Sequence, residues 1–383
     1  MSRRKTALLL GAYGQTNLGD DLLMYNYLRL LSDKGYTHIR VNLSEARYVP
    51  KPITDAFPHL EVFETYHTSA LKLLNLMRTS DAIVYGGGTV YKELYATTGR
   101  SRYSVITNVM LFNVLAALCG KKIYGCHIGI GSIKTGLGRA ISWAALRWCD
   151  LTTFRDEVSY RYARDTLKLP ARRIAHSTDG LFIDTIWQKE WNHADVHIPR
   201  QLQGNVVGIN VLHDIPDWID RKQYISSMRT FAARLMDEGN YIVFLPFQNA
   251  YNPHNDLTFL RQEILPSFKD YDAYHVVEDL GIDTIISYLK QVDVLIGMRF
   301  HSLLLATAAS TPFLALAYDT KCWRFVQEAG YDHALKLEDV TAAALHDGYR
   351  MLLKDMPAAR KRLRSIAKAN YETAKEWLAN TAF

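Results

Sequence analysis

Cysteine is scarce in this 383-residue chain. Cys119, Cys126, Cys149 and Cys322 are the four present, and no two form a CxxC pair. That spacing excludes a zinc ribbon and a disulfide scaffold, and it reads as reduced, buried thiols. Long apolar runs are also lacking. The longest, Val105–Cys119, is broken by Asn108 and Asn113 and falls short of the ~20 residues of a membrane span. After the basic start Met1–Lys5, the apolar run covers only Ala7–Leu10, too short for a signal-peptide core. The expectation is a soluble, cytoplasmic protein, with contact at the inner face of a membrane left open. Several motifs are missing as well. No GxGxxG or GK[ST] follows the first strand, and there is no HExxH, GxSxG or kinase set. Their absence argues against dinucleotide binding, P-loop phosphate binding, zinc peptidase and α/β-hydrolase chemistry.

What is present is ordinary for a globular protein. Hydrophobic residues make up 48% and charged residues 22%, which argues against disorder. The length suits two or three domains, each large enough for its own core. Lys plus Arg is 45 and Asp plus Glu is 39, a formal charge of +6. That excess permits an anionic partner (nucleic acid, lipid or a phosphorylated small molecule) without choosing one.

Short apolar strands alternate with helical periods along the chain. Thr6–Leu10, Ala82–Tyr85, Lys122–Cys126 and Leu151–Phe154 read as strands. Asp21–Ser32, Leu71–Arg78, Val105–Leu118 and Val158–Thr166 read as helices, as does Leu257–Leu265 further on. His127–Gly138 reads as a Gly-rich loop, and Trp187–Asn205 as a linker. The alternation then restarts with strands Val206–Val211, Tyr241–Pro246, Val292–Gly297 and Phe313–Ala317. Continuous apolar strands joined by helices predict parallel sheets covered on both faces. The fold class expected is α/β: two Rossmann-like doubly wound domains facing a cleft, at 1–190 and 205–335. A C-terminal helical tail at 340–383 carries the basic cluster Arg360, Lys361, Arg362, Arg364 and Lys368. Ligands of such sheets sit beyond the carboxyl ends of the strands.

Four loops occupy such ends. Gly11–Asp21 contains Asn17 and Asp20, side chains suited to sugar hydroxyls; a turn with a helix cap is the alternative. Gly86-Gly87-Gly88 brings backbone close to a ligand or simply makes a tight turn. Arg155 ends a strand and either grips an anion or pairs with Asp156 or Glu157. Met298-Arg299-Phe300-His301-Ser302 joins an anion binder to a proton-transfer group at a helix start. Lys321, after Tyr318 and Asp319, adds a cation on the next strand. His127 is either a loop ligand or a core histidine. Pro246-Phe247-Gln248 and Asn255-Asp256 are further candidates to line the cleft.

Together these loops resemble the polysaccharide pyruvyl transferase family. The family's GxxGxxNxGDD loop stands at Gly11–Asp21, its D-x-x-x-x-GGG segment at Asp81–Gly88 and its RD-x-x-S segment at Arg155–Ser159. Its MRxHS motif stands at Met298–Ser302, and its P…YDxK stretch at Pro312 with Tyr318–Lys321. Two positions depart from the pattern. Gly131-Ser132 replaces a common Gly-Pro, and Asp179-Gly180 replaces a common Asp-Pro. The resemblance implies a two-lobed, GT-B-like glycosyltransferase architecture. It also implies phosphoenolpyruvate as donor, a saccharide acceptor (polymeric, lipid-linked or small), and a pyruvate ketal as product of cell-surface or exopolysaccharide biosynthesis. No cofactor, metal or nucleic-acid partner is implied. His301 and Arg299 are then the catalytic candidates. Arg155, Ser302 and Lys321 are donor-binding, and Asn17, Asp20, Gly87 and Gly88 are acceptor-binding. Two alternatives stay open: a GT-B enzyme using a nucleotide-sugar donor, and a non-catalytic sugar- or phosphate-binding protein.

Overall fold

The computed structural model describes residues 5–94, 101–183, 196, 198, 203–250 and 253–381. The linker expected over Trp187–Asn205 lies almost wholly outside the described residues. The chain divides into two compact units. The first is Met1–Gln15, Asp20–Asp184 and Asn370–Phe383; the second is Thr16–Gly19 and Thr185–Ala369.

The first unit is built on strands β1 (Thr6–Leu10), β2 (His38–Leu43), β3 (Glu61–Glu64), β4 (Ala82–Gly86), β5 (Thr89–Tyr91), β6 (Lys122–Ile130), β7 (Leu151–Phe154) and β8 (Ile174–His176). Their order is β3-β2-β1-β4-β6-β7-β8, with β5 beside β6, and every one of these pairs is parallel. β4 is buried along its whole length, as a sheet covered on both faces requires. Helices Leu18–Asp33 and Lys51–Ala56 and, near the carboxyl end, Trp377 contribute to the core on one face. Ala70–Arg78, Ser104–Leu118 and Gly136–Arg147 contribute to the other.

The second unit carries β9 (Val206–Ile209), β10 (Tyr241–Phe244), β11 (Tyr274–Val276), β12 (Val294–Gly297), β13 (Phe313–Ala317) and β14 (Ala334–Lys336). The order is β11-β10-β9-β12-β13-β14, again parallel throughout. In both sheets the order reverses beside the unit's first strand, at β1/β4 and at β9/β12. Such a switch point opens a crevice at the carboxyl ends. One device sets the register at both. Asp81, just before β4, accepts the amide of Thr6 at 2.8 Å. Asp293, just before β12, accepts that of Val206 at 2.8 Å.

Helix starts follow local chemistry. Asp156, Thr135, Asn255 and Asp319 each accept a backbone N–H in the first turn, satisfying donors the helix cannot. Four expectations differ from the structure. The loop predicted from His127 begins later, because β6 continues to Ile130 through an irregularity between Gly125 and Ile128. The helix predicted at Leu257–Leu265 is α-helical only over Asp256–Phe259 and widens to a π-turn over Leu260–Ile264. The helix predicted at Val158–Thr166 likewise becomes a π-turn from Tyr162. β3, β5, β8 and β14, which the sequence pattern does not show, are three- or four-residue strands each broken or ended by a polar residue, so none presents a continuous apolar run. The C-terminal segment forms one helix, Ala342–Asn380. Residues 342–369 belong to the second unit and 370–380 to the first.

Candidate functional site

In the second unit the loops after β9, β10 and β12 meet around one carboxylate. Asp256 is fully buried. Its Oδ2 accepts Nε of Arg299 at 2.6 Å and the amide of Phe247 at 3.2 Å. Its Oδ1 accepts Nη2 of Arg299 at 2.7 Å, the amide of His213 at 3.2 Å and Nδ1 of His213 at 3.0 Å. Burial alone would raise the pKa of this acid. The Arg299 charge and the His213 hydrogen bond outweigh burial and hold it below the usual carboxylate range. Asp256 is therefore an anion at any physiological pH.

The anion that meets Arg299 is thus part of the chain. The fork of the guanidinium is spent on Asp256, and Nη2 also reaches Gln248 Oε1 at 3.2 Å. The Arg299 amide donates to Asn210 Oδ1 at 2.8 Å, which ties the β12 loop to the end of β9. Ser302 is buried and donates its hydroxyl to the Arg299 carbonyl at 2.6 Å, closing the helical turn. These two motif residues shape the loop. His213 and Asp256 join them from sequence positions that no spacing rule connects. With Nδ1 turned to Asp256, the Nε2 side of the His213 ring points away from the pair, and the side chain is 18% exposed.

His301 stands one residue inside the helix Phe300–Ala309. Its Nδ1 edge rests on the backbone of Gly19, where any Cβ would overlap the ring. The segment Thr16–Gly19 is held there by the strand-like bridge Asn17–Gln248 and by Leu18 N–H donating to the Phe247 carbonyl at 3.1 Å. Asn17 Oδ1 accepts the Gly19 amide at 3.3 Å. Phe300 links His301 to the next loop. Its ring lies 5.5 Å from the imidazole, and Lys321 Nζ lies 5.9 Å from the Phe300 ring. Lys321 pairs with Asp319 at 3.1 Å and is 36% exposed. Burial works against its charge, but Tyr318 and Asp319 outweigh it and keep the ammonium protonated. Asn17, His301, Ser302, Arg299 and Lys321 thus share the second unit's loop cluster.

The first unit holds the other candidates. Arg155, 5% exposed, donates through Nη1 to Asp179 Oδ2 at 3.0 Å and through Nη2 to Thr89 Oγ1 at 3.1 Å. The partner expected at Asp156 stands at 4.0 Å, and Asp179 takes its place. Gly87 and Gly88 both adopt positive φ, +75° and +79°. Their surroundings differ. A Cβ on Gly87 would press on Leu23 at 3.0 Å, whereas no described residue lies within 4 Å of one at Gly88. Gly87 serves packing, and Gly88 faces open space. Asp20 lies partly exposed in the first helical turn. Its neighbour Asp21 is buried, and burial, followed by the Asp20 charge, raises its pKa well above the usual range. His127 is a core residue. It is fully buried, its Nδ1 meets the Tyr27 hydroxyl at 2.9 Å, and Trp377 packs edge-on at 4.2 Å.

Among solved structures, the chain is similar to UDP-GlcNAc 2-epimerase from Neisseria meningitidis (TM-score 0.64, 8% identity, 98% of each chain covered). A putative UDP-N-acetylglucosamine 2-epimerase from Listeria monocytogenes gives a TM-score of 0.65 at 11% identity, covering 97% of this chain and 95% of that one. Anabaena Alr3699/HepE in complex with UDP-glucose gives 0.61 at 10% identity, covering 98% and 100%. These identities speak for the fold alone, which is GT-B-like: two parallel-sheet α/β domains with a C-terminal helix. The sequence itself matches the family model for polysaccharide pyruvyl transferase over residues 17–320. That match contains three of the five motif segments whole and parts of the first and the last, and the chain belongs to the polysaccharide pyruvyl transferase family.

Proposed function

We propose that the protein transfers pyruvyl from phosphoenolpyruvate onto two hydroxyls of one saccharide residue, releasing inorganic phosphate. The observation that carries this reading is the His301 ring, fixed on Gly19 and linked through Phe300 to the charged Lys321. A titratable acid beside a permanent cation suits a substrate that is a phosphate ester and a carboxylate at once.

His301 delivers a proton to C3 of the enol, making C2 electrophilic. One sugar hydroxyl adds at C2 and gives up its proton, the C2–O bond to phosphate breaks, and the second hydroxyl closes the ketal as its proton passes to the departing phosphate. Lys321 holds the anionic donor through these steps. Arg299 is a positioning residue that fixes the β12 loop through Asp256 and Asn210. His213, oriented by Asp256 as in other His–carboxylate pairs, takes up the hydroxyl proton. In the first unit the open backbone at Gly88, beside Thr89 and Arg155, suits saccharide hydroxyls.

The test is phosphate release from phosphoenolpyruvate with and without candidate glycans, alongside nucleotide release from UDP-sugars. Acceptor-dependent phosphate release, lost in His301→Ala, is the expected result. Nucleotide release, or ligand binding without turnover, would replace this reading with a glycosyltransferase or a binding protein.

A further inference from the structure

We propose that the outer face of the helices Ser104–Leu118 and Gly136–Arg147 docks this protein on an anionic lipid surface. Both helices belong to the first unit. They connect β4 to β6 and β6 to β7, steps in one direction across the sheet, so right-handed crossovers place them on one face. Ile106, Ala116 and Ala145 share a single core cluster there, and Asn113 ties the helices together by donating to the Ala145 carbonyl at 3.1 Å.

Among the described residues, their other side is left open. Leu118 is 74% exposed, Leu137 57%, Leu111 52%, Leu115 48%, Trp148 40% and Trp143 39%. Leu111, Leu115 and Leu118 form one stripe at helical spacing, on a helix that contains no charged residue. So much aliphatic surface gathered on one helix pair marks an interaction site rather than scattered exposure.

Charge selects the partner. From Ser101 to Cys149 the chain has six basic residues and no acidic one. Lys134, just before the second helix, and Arg139 and Arg147 on it are exposed, and the Arg147 guanidinium packs over the Trp143 ring at 5.0 Å. Exposed leucines, tryptophans and cations on one helix pair are the composition of a surface that enters the headgroup layer of an anionic membrane. A second copy of this chain fits worse, because a two-fold contact would set the same cations against each other. The basic cluster on the helix Ala342–Asn380 differs in kind. Leu363 and Ala367 there are buried, so that helix offers charge without apolar insertion. If the acceptor is lipid-linked, docking brings the enzyme to it. That consequence rests on the pyruvyl-transfer reading, whereas the docking does not.

The experiment uses the full chain with vesicles of phosphatidylglycerol and phosphatidylcholine, or of phosphatidylcholine alone, containing neither saccharide nor donor. The protein should sediment with the anionic vesicles, less so as salt rises, and brominated lipid should quench its tryptophan fluorescence. Leu111→Ser/Leu115→Ser and Arg139→Glu/Arg147→Glu should each weaken binding by about tenfold or more. Circular dichroism checks the fold of both. If the serine variant misfolds, the charge variant, which alters only surface side chains, decides. Absence of vesicle binding, equal binding by variants and wild type, or a wild-type dimer that the serine variant converts to monomer would each overturn the proposal. Phosphate release with a water-soluble acceptor, read separately, tells its failure from failure of the enzymatic reading.

Discussion

Gly19 and His301 share one small volume: the imidazole lies against the Gly19 backbone where a side chain would otherwise stand. The glycine of the first motif loop therefore seats the histidine of the fourth, although 281 positions separate them (301 − 19 − 1).

Gly19→Ala should push the imidazole off its seat without unfolding the protein. A displacement of about 1 Å costs a catalytic group on the order of a hundredfold in rate. The measurement is acceptor-dependent phosphate release beside the thermal midpoint. A large fall in kcat with a nearly unchanged midpoint is expected. Wild-type turnover in this variant would detach Gly19 from His301.

Asp256→Asn should destabilise the second unit by about 3–5 kcal/mol, because it leaves the Arg299 guanidinium buried beside a neutral partner. Replacing both, as Asp256→Leu/Arg299→Met, should recover part of that loss. Denaturant unfolding reads the pair. The depressed pKa fixes the sign with pH: the carboxylate stabilises the fold above its unfolded value of about 3.9, and the contribution is lost as pH falls through the still lower folded value. If the single variant unfolded like wild type, the carboxylate could not be the anchor of these loops.

His127 gives a second acid-sensitive window. Burial lowers its pKa to about 3, against about 6.5 in an unfolded chain. The unfolded chain alone takes up the proton between those values. Stability is complete above about pH 6.5 and falls as pH drops, by up to about 1.4 kcal/mol per unit. His127 also holds φ +53°, a conformation asparagine tolerates. His127→Asn should therefore flatten the dependence of unfolding free energy on pH in this window. An unaltered slope would mean that other groups produce it.

Gly180 leaves no room for a side chain, because a Cβ there would collide with the Tyr27 hydroxyl. Gly180→Ala should cost about 1–3 kcal/mol as overpacking. In the background of Tyr27→Phe the same change should cost less, giving a non-additive cycle. Strict additivity in the unfolding data would show that the hydroxyl is not the obstacle.

The two parallel sheets and the motif loops were legible because each rests on local chemistry: apolar runs, capping side chains, glycines at strand ends. The charge partners were not. Arg155 has Asp156 and Glu157 next in sequence but is held by Asp179, and Arg299 is held by Asp256. Both partners were visible as residues. Only the parallel topology brings the end of β7 to Asp179 and the end of β12 to Asp256. His213 carried no signal at all, since a single histidine four residues past a strand has no spacing to interpret. Gly87 and Gly88 looked alike in sequence, and the packing of Leu23 beside one of them makes the difference.

Trp377 belongs to the core that β1 begins, where it covers His127 and donates Nε1–H to Thr153 at 2.8 Å. During synthesis the first unit's core residues up to Ile183 emerge 194 residues earlier (377 − 183). At 5–20 residues per second that is a delay of roughly 10–40 s. Over that interval the nascent first unit exposes the cavity that Trp377 later fills. Any frameshift or proteolytic loss near the carboxyl end thus damages the domain that was translated first.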